Sequence, residues 1–299
     1  MEALQTLSSD LATAVERAAR AVVAVNARPR IPSSGVHWRP GVIVTAEHTV
    51  QVDEDITIIE ADGRRMPATL AGRDPGTDLA VLKVAGAAPP PAELDGPGSL
   101  KAGHIVLALG YGPRVSWGVV SALGGVGRAR GRGEPDQLVR LDLVLYPGFS
   151  GGPLVDVAGR VTGINTSGLS RTGAIAIPAA TVTRITDELL RKGRIARGYL
   201  GVGLQPVRLP ENIKPKAGGA GETGLIVVSI EPDAPAGQAG LLIGDVLLAL
   251  DGTPITSMDD IQAVLGPDRV GSRVSALIIR AGQSTEVVMT VAERPSRRR

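Results

Sequence analysis

Cysteine is absent, so neither disulfides nor thiolate metal sites contribute to the fold, and the redox compartment leaves no mark on the composition. Imidazoles are scarce too: there are three histidines, and a single phenylalanine accompanies them. Chemistry that needs a base near neutral pH therefore has three places to look. No apolar run reaches the roughly 20 residues of a spanning helix. The N-terminal stretch MEALQTLSSDLATAVERAARAVVAV has acidic residues near its start, no basic leader region and no signal-type apolar core. As it stands the chain is expected in the cytoplasm, with an extracytoplasmic location as the alternative if a targeting segment has been removed. A net charge of +2 with both signs interspersed gives no reason to invoke nucleic acid or an anionic membrane. The local exception, Arg297, Arg298 and Arg299, reads as a solvated end within a basic tail over 295–299.

What is present is glycine, 39 residues, and proline, 22, punctuating short Val/Ile/Leu-rich runs. That pattern favours many strands over helices. Leu4, Leu7, Leu11 and Val15 share one face of an N-terminal helix over residues 1–20. Strand-like runs follow at 22–27, 41–45, 56–60, 66–72 and 79–84. The Pro/Gly-rich stretch 87–98 cannot continue a sheet and reads as a connection. A second series comes at 105–109, 115–123, 138–143, 154–157, 161–165 and 174–177, and two successive groups of short strands suggest two small barrels side by side. A helix over 181–192, stopped by Gly193, closes this domain at about residue 196. Residues 197–294 form a compact α+β module, with a short helix and strand in PAGQAGLLIGDVLLALDGTPI, a tight Asp251-Gly252 turn and a helix capped by Ser257. Within it PENIKPKAGGAGETG reads as a mobile loop.

Of the histidines, His37 in a turn-like context and His104 at a strand entrance read as surface or capping residues. His48, in VTAEHTV, directly follows a strand. Asp78 opens the strand of TDLAVLKV, and Ser150 sits in the glycine-dense turn of YPGFSGGPLVD. Each alone is ordinary. Together, in the order His, Asp, Ser, they meet a chemical need: a hydroxyl is a weak nucleophile near neutral pH and requires an imidazole to take its proton and a carboxylate to fix the imidazole tautomer. Glycine before the nucleophile lets main-chain amides approach a substrate carbonyl, and the amides of Gly148 and Ser150 are the candidate oxyanion donors.

VTAEHTV, GRDPGTDLAVLKV, LKAGHIVLALGYG, WGVVSAL, PGFSGGPLVDVAGRVTGIN and AIAIPAATVTRITDELLRKG, occurring in this order, resemble the HtrA/Deg serine proteases, over about residues 9 to 294. The resemblance implies a mainly β chain: a chymotrypsin-like double β-barrel catalytic domain over 21–196, then a PDZ domain over 197–294. It also implies cleavage of unfolded or flexible polypeptide in protein quality control, with no metal or other cofactor. It further implies that the strand Gly173, Ala174, Ile175, Ala176 and Ile177 pairs with bound peptide and helps form a small apolar pocket, although a plain core strand has the same sequence character. By the same resemblance Tyr199, Leu200, Gly201 and Val202 stand at the PDZ loop whose amides receive a C-terminal carboxylate, with the peptide added as a strand beside it.

Two departures stand out. The family usually has a small polar residue, most often Asn, before the nucleophile. Here that residue is Phe149, and a bulky ring beside Ser150 could narrow the pocket, flip the turn or leave the site intact. Trimeric members use aromatic residues near the N-terminus, whereas none precedes Trp38 here and the segment between Ala27 and Gly35 is short, so a monomer or weak oligomer is expected. Two functions follow: an active serine endopeptidase, or a disarmed peptide-binding protein that works through its PDZ domain.

Overall fold

The computed structural model describes residues 2–86, 90–96, 100–112, 114–124, 138–170, 173–210 and 222–295. The Arg297–Arg299 tail and most of the loop expected over 210–224 lie outside them, as does part of the connection over 87–98. Among the described residues no helix is long and apolar enough to cross a membrane. The chain divides into two compact units that meet in sequence between Ile195 and Ala196.

The first unit opens with helix α1 (Glu2–Ala19). Strands β1 (Val22–Asn26), β2 (Ser33–Arg39), β3 (Val42–Ala46), β4 (Ile56–Ile59), β5 (Arg65–Asp74) and β6 (Leu79–Val84) follow it. They close into an antiparallel barrel in the order β1-β2-β3-β6-β5-β4. Strands β7 (Ile105–Gly110), β8 (Arg114–Leu123), β9 (Val139–Asp142), β10 (Pro153–Val155), β11 (Val161–Thr166) and β12 (Ala174–Pro178) close a second barrel in the order β10-β11-β12-β9-β8-β7. Helix α2 (Ala179–Lys192) then ends at Gly193, whose N–H donates to Leu189 O.

The strands read as unbroken apolar runs because both of their faces are buried. Alternate residues sort into different layers. Val23, Val25, Ile43, Ala80 and Leu82 fill the first barrel. Val106, Ala108, Leu154 and Ala176 belong to the core of the second. Their neighbours Val22, Val44, Leu79, Val81, Leu107, Leu109, Val155 and Ile177 form a separate layer between the barrels, closed by α1 and α2. The period of two thus builds three cores from one set of strands.

Helix α1 packs less than its sequence suggests. Ala14 and Ala18 are buried in the inter-barrel layer, with Leu11 and Val15 partly covered, but Leu4 and Leu7 are 73% and 41% exposed. The barrel surface reaches only the last two turns of the helix.

His37 also departs from its sequence reading. It lies in β2 between Val36 and Trp38, which face the inter-barrel layer, so the alternation turns its side chain into the first barrel; it is 0% exposed. Neither ring nitrogen has a partner among the described residues, and the same holds for Oε1 of buried Glu60. Burial pushes the imidazole pKa below its ordinary value, and the Glu60 charge opposes that only in part. A folded state that holds this histidine neutral binds fewer protons than the unfolded chain, so its contribution to stability is full above the ordinary pKa of about 6.5 and is lost as pH falls through the folded value.

In the second unit β13 (Gly198–Tyr199) pairs with β20 (Ala292–Glu293). The main sheet runs β14 (Val202–Arg208), β15 (Thr223–Ile230), β16 (Val246–Leu250), β18 (Arg273–Arg280), β19 (Gln283–Thr290), and the short β17 (Thr253–Pro254) pairs with β16. Helices α3 (Pro235–Gln238) and α4 (Met258–Val264) complete the unit. Ser257 caps α4 in a reciprocal box with Asp260. Leu200, Leu225, Ile255, Ile261, Ile278 and Met289 are among the residues of its core.

His37→Leu is expected to flatten the acid side of the stability profile. Urea midpoints should fall between pH 7.5 and pH 5 by less in the variant than in the wild type, and equal falls would show that His37 does not set the acid limb.

Candidate active site

The site is assembled from turns at the ends of strands. His48 sits on a short 3₁₀ turn, Glu47–Thr49, directly after β3. The Thr49 hydroxyl donates to Ala46 O at 2.7 Å and the Glu47 amide to Asp78 O at 3.0 Å, which ties this turn to the start of β6. There Asp74 accepts from the amides of Gly76 and Thr77 and from the Thr77 hydroxyl, an Asx-type turn that delivers Asp78 at the strand entrance. Asp78 adopts φ +55°, a left-handed conformation that aspartate tolerates better than most residues. Its side chain is buried, and it receives the His48 amide at 2.9 Å and the His48 Nδ1 at 2.8 and 3.0 Å.

The second barrel supplies another donor to the same carboxylate. Thr166, the last residue of β11, donates its hydroxyl to Asp78 Oδ2 and accepts the Gly168 amide at 2.9 Å. Gly168 has no room for a side chain: a Cβ there would lie 2.6 Å from Asp78 Oδ2 and 2.7 Å from His48 Nδ1. Ser150 follows a turn closed by the Phe149 amide on Tyr146 O at 3.0 Å, with Pro147 and Gly148 as its central residues. Gly148 at φ +93° gives it type II character, which requires a residue free to take positive φ. Ser150 Oγ lies 3.0 Å from Ser167 Oγ and accepts the Ser167 amide at 3.3 Å. Among the described residues it makes no hydrogen bond to His48, and the amides of Gly148 and Ser150 donate to no described residue. His48, Gly148, Ser150 and Ser167 line a cleft of about 720 Å³, with Arg28, Ile31 and Tyr146 also on its walls.

The fold therefore brings His48, Asp78, Ser150 and Gly148 together. It does not bring Gly173–Ile177 to them. Strand β12 lies between β11 and β9, so Ile175 and Ala176 are paired on both edges, and Ile175, Ala176 and Ile177 are buried. Double pairing leaves the backbone of Ile175 and Ala176 no free hydrogen-bonding side, and no residue of 173–177 lines the cleft. Ser167, one residue beyond β11, is the neighbour of Ser150. Neither Thr166 nor Ser167 stands out in the sequence, because small polar residues after a strand also suit an ordinary turn.

Phe149 lies in the second barrel. Its side chain is 1% exposed and packs with Val106, Val120, Val139 and Leu154 in the core of the second barrel. The ring fills space at Gly110, where a Cβ would meet it at 2.7 Å. The turn points residue 149 inward, and the ring is not among the residues that line the cleft beside Ser150.

In the second unit Leu200 and Gly201 join β13 to β14, with Tyr199 closing β13 and Val202 opening β14. The carbonyls of Leu200 and Gly201 accept the amides of Ala236 and Glu231, each at 2.9 Å, which fixes the loop from behind. Among the described residues strand β14 is the edge of its sheet and pairs with β15 alone, so its other side has no described partner from Val202 onward.

Comparison with known proteins agrees with this architecture. Residues 33–164 match the family model of the trypsin-like peptidase domain, and 198–291 match that of the PDZ domain. A protein of Brucella suis named "Probable periplasmic serine endoprotease DegP-like" is 35% identical over 283 residues, covering 90% of this chain and 54% of its own length. A Pseudomonas fluorescens protein of the same name is 33% identical over 268 residues, covering 85% and 54%. The chain thus spans about half the length of these curated relatives. Among solved structures, the serine endoprotease from Yersinia pestis is 32% identical with a TM-score of 0.76, covering 95% of this chain and 98% of that one. The HtrA-type protease AlgW with a tripeptide is likewise 32% identical, with a TM-score of 0.75 and coverage of 96% and 98%.

Phe149→Ala is expected to destabilise the first unit by about 3–5 kcal/mol, the usual cost of emptying a buried aromatic site. Chemical denaturation measures this, and a loss under about 1 kcal/mol would contradict the core role of the ring.

Proposed function

The chain belongs to the HtrA/Deg-type serine proteases that carry a PDZ domain, and on that premise we propose that it is a serine endopeptidase acting on unfolded or flexible polypeptide. Residues 21–196 are the peptidase domain and 197–294 the PDZ domain. The observation that carries this reading is the His48–Asp78 pair at 2.8 Å, set in one cleft with Ser150 and two uncommitted amides.

The chemistry follows from the roles those groups can take. Ser150 Oγ leaves Ser167, by rotation about its χ1, and turns to His48 Nε2, which takes its proton as the oxygen attacks the peptide carbonyl. Asp78 accepts from Nδ1, fixes the tautomer and stabilises the imidazolium that forms. The amides of Gly148 and Ser150 receive the oxyanion of the tetrahedral intermediate. His48 then gives its proton to the leaving amine, and water repeats the sequence on the acyl-enzyme. Thr166 keeps the carboxylate of Asp78 directed at the imidazole. The disarmed-binder alternative rested on Phe149 spoiling the turn, and a ring buried in the barrel removes that ground.

For the second domain the reading is capture of peptides with a free C-terminal carboxylate and an apolar last residue. The loop Tyr199–Val202 would offer main-chain amides and the open edge of β14 a place for an added strand.

Cleavage of casein is expected to be lost in Ser150→Ala and in His48→Ala alike, with the double variant no worse than either, because such residues act as a unit. Labelling of Ser150 by a fluorophosphonate reports the same chemistry without a substrate. A wild-type chain that neither cleaves nor labels, alone or with activating peptide, would return the reading to a binding protein. At the PDZ domain, amidating the C-terminus of a bound peptide should weaken binding. Equal affinity for acid and amide by calorimetry would rule out carboxylate capture.

A further inference from the structure

The turn that carries the two uncommitted amides is held from outside the cleft. Gly148 O accepts the Ser34 hydroxyl at 2.6 Å, and Ser34 Oγ in turn accepts the Tyr111 amide at 2.9 Å. Pro147 O accepts Arg114 Nη1 at 3.1 Å, while Arg114 Nε donates to Tyr111 O at 3.2 Å. The same guanidinium lies over the Phe149 ring, its carbon 5.6 Å from the centroid, and Tyr146 meets that ring edge-on at 5.6 Å. One exposed arginine thus touches the residue before Gly148 and the residue before Ser150.

The Pro147–Gly148 peptide is the sensitive element. A trans peptide is planar, with its C=O and N–H opposed, so a carbonyl drawn towards Arg114 directs the Gly148 N–H the other way. Gly148 lines the cleft. The competing conformer is a type I turn, which differs from type II chiefly by reversal of this central peptide. Glycine at the third position admits both, because it accepts φ of either sign at little cost. In the reversed conformer Pro147 O would occupy the place of the Gly148 N–H. Pro147 and Gly148 at its centre already favour type II, and the charge-assisted bond to Pro147 O adds to that bias against the reversed conformer.

We infer that Arg114 is a positioning residue: it holds the Pro147–Gly148 peptide with its N–H towards the cleft, and the Phe149 ring is the platform that keeps the guanidinium in place. An arginine suits this because its planar fork donates in a fixed direction and stacks on an aromatic face. Phe149 then has a second use beyond filling the barrel. The inference rests on the peptidase reading above and specifies how its oxyanion site is kept formed.

The test uses the full chain with Arg114→Met and Arg114→Lys. Because Arg114 is exposed, neither change opens a void, and the thermal midpoint should stay near that of the wild type. On an unstructured peptide substrate Arg114→Met should lose about tenfold or more in kcat, bounded by the roughly 10² to 10³ that removal of a whole oxyanion donor costs. KM should be little changed. Arg114→Lys should retain part of the rate, and millimolar guanidinium should restore part of it to Arg114→Met while leaving the wild type unaffected. A wild-type rate in Arg114→Met, a loss confined to KM, or a kcat loss that neither lysine nor guanidinium relieves would overturn the positioning role. A wild-type chain inert to fluorophosphonate would instead remove the peptidase reading, and this inference with it.

Discussion

The carboxylate of Asp78 is the point on which the first unit depends. It is 3% exposed and receives two donors from His48 in the first barrel and one from Thr166 in the second. A buried carboxylate left without partners is costly, so these donors are obligatory company rather than incidental contacts. Satisfying it requires the end of β11 to reach the start of β6, and that fixes how the two barrels meet. The inter-barrel layer of Leu79, Val81, Leu107, Val155 and Ile164 supplies the non-directional attraction, and the Asp78 cluster supplies direction. Packing alone tolerates small shifts; three hydrogen bonds to one carboxylate do not.

Much of this was legible in the sequence. The apolar runs at 79–84, 105–109 and 161–165 are strands within a residue or so of their expected limits. Strand β2 was not seen, and the reason is physical. Its sequence, SSGVHWR, offers serine and histidine where a buried strand is expected to be apolar, and these polar groups are hidden by their particular surroundings. The Ser34 carbonyl accepts the Thr45 hydroxyl and the Ser34 hydroxyl reaches Gly148 O, a residue 114 positions away. No local pattern carries that information. The same limit hides Thr166, which stands 88 positions from the carboxylate it serves.

His48, Asp78 and Ser150 were readable because each carries a distinctive local context and the three come in a telling order. The strand 173–177 was ambiguous because an apolar run has one appearance whether it lies at the rim of a cleft or inside a closed sheet, and only its neighbours on both sides decide. Phe149 shows the converse. Its size made it look like an obstruction beside a nucleophile, yet the direction of a side chain depends on the turn. A turn with Gly148 at φ +93° sends residue 149 into the barrel while leaving 150 at the cleft.

The open edge of β14 has a consequence for self-association. An unpaired strand edge is a template for any extended chain, including another copy of the same one. Strand β14 carries Pro206 opposite Leu225, and just beyond it the Leu209 amide donates to Glu222 O. By the alternation of an antiparallel ladder, Val207 and Gln205 then face β15, and the nitrogen of Pro206 faces outward. The exposed edge therefore has a missing donor in its middle. A ladder growing along it is interrupted after Leu204, so the edge can accept a short strand beginning near Gly201 but offers no continuous rail for sheet-to-sheet growth. One proline makes the same edge hospitable to a brief guest and poor as a seed for aggregation.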